Sequence, residues 1–117
     1  MKKFSTLLLE EAEVFLSKLD KRTIKKVLYN IELAEQNIDS RILKKLHGDI
    51  WEFKCLHLGY QIRMLAFWDK SYKNPTLIIA THGFIKKTKK TPLYEIERAI
   101  AIRNQYFNQK ENGKQRN

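Results

Sequence analysis

Two hydrophobic periods alternate along the chain and divide it into elements. Ala12, Phe15, Leu16 and Leu19 fall at helical spacing, which predicts a short amphipathic helix over 10–19. Asp20 is placed as the N-cap of a second helix. Its stripe is Ile24, Val27, Leu28, Ile31 and Ala34, extended by Ile38. The pattern breaks at 37–41, and 43–46 followed by His47, Gly48 and Asp49 reads as a connector and turn. From Ile50 the period becomes two, with Trp51, Phe53 and Cys55 on one side of a strand and Glu52, Lys54 and Leu56 on the other. Leu58-Gly59 closes a hairpin, and 60–68 forms a long second strand. On that strand Gln61, Arg63, Leu65 and Phe67 share one face, and Ile62, Met64, Ala66 and Trp68 share the other. A polar turn at 69–75 leads to a third strand over 76–82. Thr91 as N-cap with Pro92 at the first helical position opens a last helix. Its apolar side is Ile96, Ala99, Ile100 and Phe107, with Arg103 as the exception. The opening segment 2–9 fits a first strand or the start of a helix.

The resulting order, β–α–α–β–β–β–α, predicts an α+β domain with a small antiparallel sheet. A length of 117 residues suits one domain, drawn here as 1–108 with a polar tail at 109–117 expected to fray. The single cysteine, Cys55, fits a reducing cytosol, and no apolar run is long enough to span a bilayer. The expected location is therefore cytoplasmic, with no membrane partner.

Charge narrows the class. Lys and Arg number 23 against 13 Asp and Glu, and an excess of +10 on so small a domain points to nucleic acid or an acidic protein. Lys21, Arg22, Lys25 and Lys26 crowd the start of the second helix, where cations oppose the helix dipole. A solvated face and a partner-binding face both account for them. The densest run is Lys86, Lys87, Lys89 and Lys90, four lysines in five positions between two ordered elements. Such a cluster is self-repelling unless an anion occupies it.

Several chemistries find no support. The chain has no Gly-rich phosphate loop, no Cys-x-x-Cys, and no histidine at metal-ligand spacing from a companion, so no cofactor or metal is expected. What remains is a convergence of cations. A hairpin closed at Leu58-Gly59 sets Lys54 nearly opposite Arg63, with His82 ending the next strand and Lys86 close behind. That grouping suits RNA cleavage by attack of a ribose 2′-OH on the adjacent phosphate. Arg63 offers a planar fork of donors to the phosphorane. Lys54, Lys86 and His82 are the candidate proton carriers, and spacing does not divide the acid and base roles among them. Lys87, Lys89 and Lys90 are candidates for holding the RNA backbone, and Phe84 for stacking a base.

The segments LHGDIWEFK (46–54), YQIRML (60–65) and HGFIKKTKKTP (82–92), with Glu95, Ile96 and Ala99, resemble the phage-derived, HigB-like branch of the RelE/ParE toxin superfamily. Lys54 stands where that branch often has arginine, and Lys89 where it often has an uncharged polar residue. The resemblance implies a twisted sheet packed on two N-terminal helices with a C-terminal helix. It also implies the toxin of a type II toxin–antitoxin pair, cutting mRNA in the ribosomal A site without metal. Its partner would be a co-encoded antitoxin, usually a helix-turn-helix protein. Two other readings stand beside it: a ParE-like inhibitor of gyrase, and a non-catalytic nucleic-acid-binding module.

Overall fold

In the computed structural model, which describes residues 2–37, 39–71 and 76–115, both predicted N-terminal helices form where the apolar stripes place them. Strand β1 (Phe4–Leu8) leads into α1 (Glu10–Ser17) and α2 (Lys21–Gln36). Asp20 caps α2 as expected, its carboxylate accepting from the Thr23 amide at 2.8 Å. Strands β2 (Leu43–His47), β3 (Ile50–His57), β4 (Tyr60–Asp69) and β5 (Thr76–Lys86) follow, and α3 (Leu93–Gln115) closes the chain. Ile38, the 72–75 part of the polar turn and the last two residues lie outside the described segments.

The sheet order is β1-β5-β4-β3-β2. Antiparallel pairing runs from β2 through β5, whereas β1 joins the edge parallel to β5, with Phe4 opposite Thr76. A parallel neighbour needs a long crossover, and here most of the chain intervenes. Alternation in β1 alone does not reveal it. The expected connector at 43–46 is likewise a strand. Leu43 is buried opposite Phe53, and a register shift between Lys45 and His47 spoils the alternation that would have marked the segment as β.

Two cores flank the sheet. Ala12, Leu16, Val27, Ile31 and Ala34 of the N-terminal helices pack on Phe53, Cys55, Ile62, Met64 and Ala66. On the opposite face Ala99 packs on Ile50, Leu65, Phe67 and Ile79, with Phe107 and Tyr106 alongside. Gly83 permits close approach of α1: a methyl group there would overlap the Phe15 ring. Gly83→Ala is therefore expected to cost about 2 kcal/mol of stability, read from urea denaturation midpoints.

The last helix runs through Gln115, past the point where the polar tail was expected to fray. Asp69 anchors it, accepting bonds from Tyr106 Oη at 2.5 Å and Lys110 Nζ at 2.7 Å. Burial raises the Asp69 carboxyl pKa, but the bonds from Lys110, Ser71 and Tyr106 outweigh it and hold the group well below the usual carboxylate range. Arg103, the exception on the apolar side, lies over the Phe107 ring at 5.1 Å and reaches Asp49 at 3.5 Å.

Candidate active site

Alternation along three neighbouring strands gathers the candidate cations on one face of the sheet. Lys54 of β3 stands directly opposite Arg63 of β4, and Arg63 in turn stands opposite Phe84 of β5. One step toward the hairpin, Gln61 faces Lys86. The turn that sets this register has both central residues at positive φ, Leu58 at 52° and Gly59 at 82°. That is the two-residue turn whose twist suits a hairpin. Lys86 is the last residue of β5, so the lysine run begins in the sheet and not in the loop. The length of β4 explains the difference, because it offers partners as far as Gln61.

The Lys54 backbone is held from two sides. Its amide donates to Ile42 O at 2.7 Å, and its carbonyl accepts from Asn30 Nδ2 at 3.2 Å. The side chain is half-buried among like charges. Burial lowers its pKa, and Lys44, Arg63 and Lys86 lower it further while Glu52 opposes them. Lys54 is therefore biased toward giving up its proton.

Arg63 is buried beside Lys54, and its guanidinium is oriented by three groups. One terminal nitrogen donates to Ile62 O at 3.2 Å, the other donates to Gln61 Oε1 at 3.1 Å, and Nε lies 3.5 Å from Glu52 Oε1. At that separation Nε has charge attraction but no hydrogen bond among the described residues. Glu52 is itself buried and accepts from Thr91 Oγ1 at 2.5 Å. This bond draws Thr91 away from the capping role expected of it. The Pro92 carbonyl takes the first bonds of α3 instead, from the Glu95 and Ile96 amides. The Thr91–Glu52 contact ties the far end of the lysine loop to the cationic face.

Sequence reasoning did not assign Lys44, Glu52, Gln61 or Thr91 to the site. Lys44 pairs with Glu52 across β2 and β3. The available signal was that Glu52 and Lys54, two apart on one strand, share a face. Lys87, Lys89 and Lys90 are exposed beyond the end of β5, where Thr88 Oγ1 donates to Lys90 O at 2.6 Å. Phe84 is half-buried, packed against the core under α3.

His82 is not brought to the open surface. It is 1% exposed beneath the first turn of α3. Its Nε2 lies 3.0 Å from Glu95 Oε1 and its Nδ1 lies 3.1 Å from Thr81 Oγ1. Burial lowers the imidazole pKa and the Glu95 bond works against that shift. This geometry makes His82 a link between β5 and α3. His82→Leu is expected to cost about 2 kcal/mol, because the buried Glu95 loses its partner. Any RNA cleavage per folded molecule should fall far less than in a Lys54 variant. Melting curves run beside cleavage assays separate the two effects.

Residues 14–104 match the model of the family described as Phage derived protein Gp49-like. The chain belongs to that family. The Gp49-like family lies within the RelE/ParE-like toxin superfamily and is associated with toxin–antitoxin systems. No curated protein matches the chain. The matched span of this Gp49-like protein takes in Lys44, Lys54, Arg63 and Lys86. Among its described residues no helix is long and apolar enough to cross a membrane.

Proposed function

We propose that this chain is the toxin of a type II toxin–antitoxin pair, of the HigB-like kind, and that it arrests growth by cutting mRNA in the ribosomal A site. The observation that carries the reading is the register that sets Lys54 opposite Arg63, with Lys86 on the flanking strand. Like charges placed directly across a sheet are destabilising unless something compensates them. Glu52 compensates part of that repulsion, and a phosphate at that point would compensate the rest.

In the proposed reaction the ribose 2′ oxygen bonds to the neighbouring phosphorus and the bond from phosphorus to the 5′ oxygen breaks. The products are a 2′,3′-cyclic phosphate and a free 5′ hydroxyl. Neutral Lys54, favoured by its lowered pKa, accepts the 2′ proton. Arg63, pre-aimed by Glu52, Gln61 and the Ile62 carbonyl, stabilises the doubly charged phosphorane. Lys86 delivers a proton to the departing 5′ oxygen. Lys87, Lys89 and Lys90 grip the flanking backbone, and Phe84 offers its exposed edge to a base. A co-encoded antitoxin would neutralise the protein.

The test is expression of the chain in a growing cell together with incubation of the purified protein with programmed ribosomes. Growth arrest with new mRNA ends bearing cyclic phosphate supports the reading. Intact mRNA with loss of gyrase supercoiling would favour the ParE-like alternative, and salt-sensitive RNA binding without any cut would leave a binding module.

A further inference from the structure

We infer that a second groove, at the end of the sheet away from the Leu58-Gly59 turn, binds single-stranded RNA by pairing cations with an indole surface. The groove has a volume of about 660 Å³ and is lined by Lys3, Lys45, Lys70, Arg103, Trp51 and Trp68. None of these residues belongs to the cationic face described above. Trp51 stands three residues along β3 from Lys54, and Trp68 five residues along β4 from Arg63. Those separations are roughly 10 and 17 Å along the strands.

Three observations point to a polyanion with flat apolar parts. First, Lys3, Lys45 and Lys70 make no ion pair among the described residues, while Arg41, Arg63, Arg98 and Lys110 each do. Second, Arg103 touches Asp49 only at 3.5 Å, and its buried Nε has no hydrogen-bond partner among the described residues. Arg103 lines the groove, and its loose hold on Asp49 leaves its outer guanidinium nitrogens able to engage an anion there. Third, Trp51 and Trp68 meet edge to face, with centroids 5.8 Å apart, and both are partly buried against the core with the remainder of each indole at the groove wall. Cations alternating with aromatic surface are what single-stranded nucleic acid engages, through phosphates and stacked bases. An acidic protein segment would use the cations but gain less from the indoles.

The inference rests on the proposed RNA substrate, yet its test does not need cleavage. The chain's two tryptophans both line this groove, so tryptophan fluorescence excited apart from the tyrosines reports on it. The intact protein is titrated with a cleavage-resistant 2′-O-methyl hexanucleotide, with a nucleoside 5′-monophosphate, and with a poly-glutamate peptide of similar charge. The expected result is saturable quenching by the hexanucleotide, with affinity falling as salt rises. The double variant K45E/K70E should bind at least tenfold more weakly, with a shallower salt slope. A K3Q/K70Q variant with an unchanged circular dichroism spectrum gives a milder second readout in the same direction.

Absence of quenching overturns the inference, as does equal affinity in K45E/K70E. Quenching by poly-glutamate but not by RNA overturns it in favour of a protein partner. Quenching by the monophosphate alone assigns the groove to a nucleotide and overturns the strand-binding claim. If RNA quenches but no RNA is ever cut, the groove stands and the proposed endonuclease falls. If RNA is cut without quenching, the reverse holds.

Discussion

Replacing Lys54 by methionine is expected to reduce RNA cleavage by about 10²–10⁴-fold while raising the melting temperature. The first effect follows from removing a positioned proton acceptor. The second follows from the environment of Lys54, whose charged form is disfavoured by burial and by Lys44, Arg63 and Lys86. A lysine with a folded pKa below its unfolded value binds fewer protons in the fold than in the open chain between those two values. Stability therefore rises as pH climbs through that window, and below it the folded state carries the whole penalty. Methionine keeps the apolar stem and deletes the penalty, so a gain of a few degrees is expected near neutral pH. The rise in stability of the parent protein toward alkaline pH should be correspondingly smaller in the variant. Parallel melting curves and cleavage assays read both directions. Loss of activity accompanied by loss of stability would mean that Lys54 supports the fold and nothing more.

Arg63 should behave in the opposite way. Arg63→Gln removes the phosphorane's main donor and is expected to slow cleavage by about 10²–10³-fold. It also strands Glu52, which is 4% exposed, without its cation. Leaving one partner of a buried pair uncompensated costs about 3 kcal/mol or more. The double variant R63Q/E52Q removes that uncompensated charge, so much of the stability should return while cleavage stays lost. Denaturation midpoints and single-turnover rates on the three variants distinguish the roles. Recovery of cleavage along with stability in the double variant would show that Arg63 serves only to neutralise Glu52.

These two residues were legible in the sequence because the hairpin that joins them is local. A two-residue turn at Leu58-Gly59 leaves little freedom in register, so Lys54 and Arg63 had to meet. The helices were legible for a similar reason, since Ala12, Leu16, Val27 and Ile31 reveal a buried side at fixed spacing. What escaped depends on contacts between distant parts of the chain. Glu52 looks like any outward strand carboxylate until Thr91, 39 residues away, is folded onto it. The parallel seating of β1 on β5 and the bulged edge strand β2 are set by pairing that no alternation records. His82 illustrates the remaining difficulty. At the end of a strand beside a lysine run it resembles a proton carrier, and only the seating of α3 brings Glu95 over it.

The most direct test of the cationic face is to map RNA ends made by the purified protein on programmed ribosomes, comparing the parent with K54M and R63Q/E52Q. The expected outcome is discrete cuts ending in 2′,3′-cyclic phosphate for the parent and none above background for either variant, with both variants folded. Cuts of undiminished yield from the folded variants, or ends bearing a 3′ hydroxyl, would contradict it.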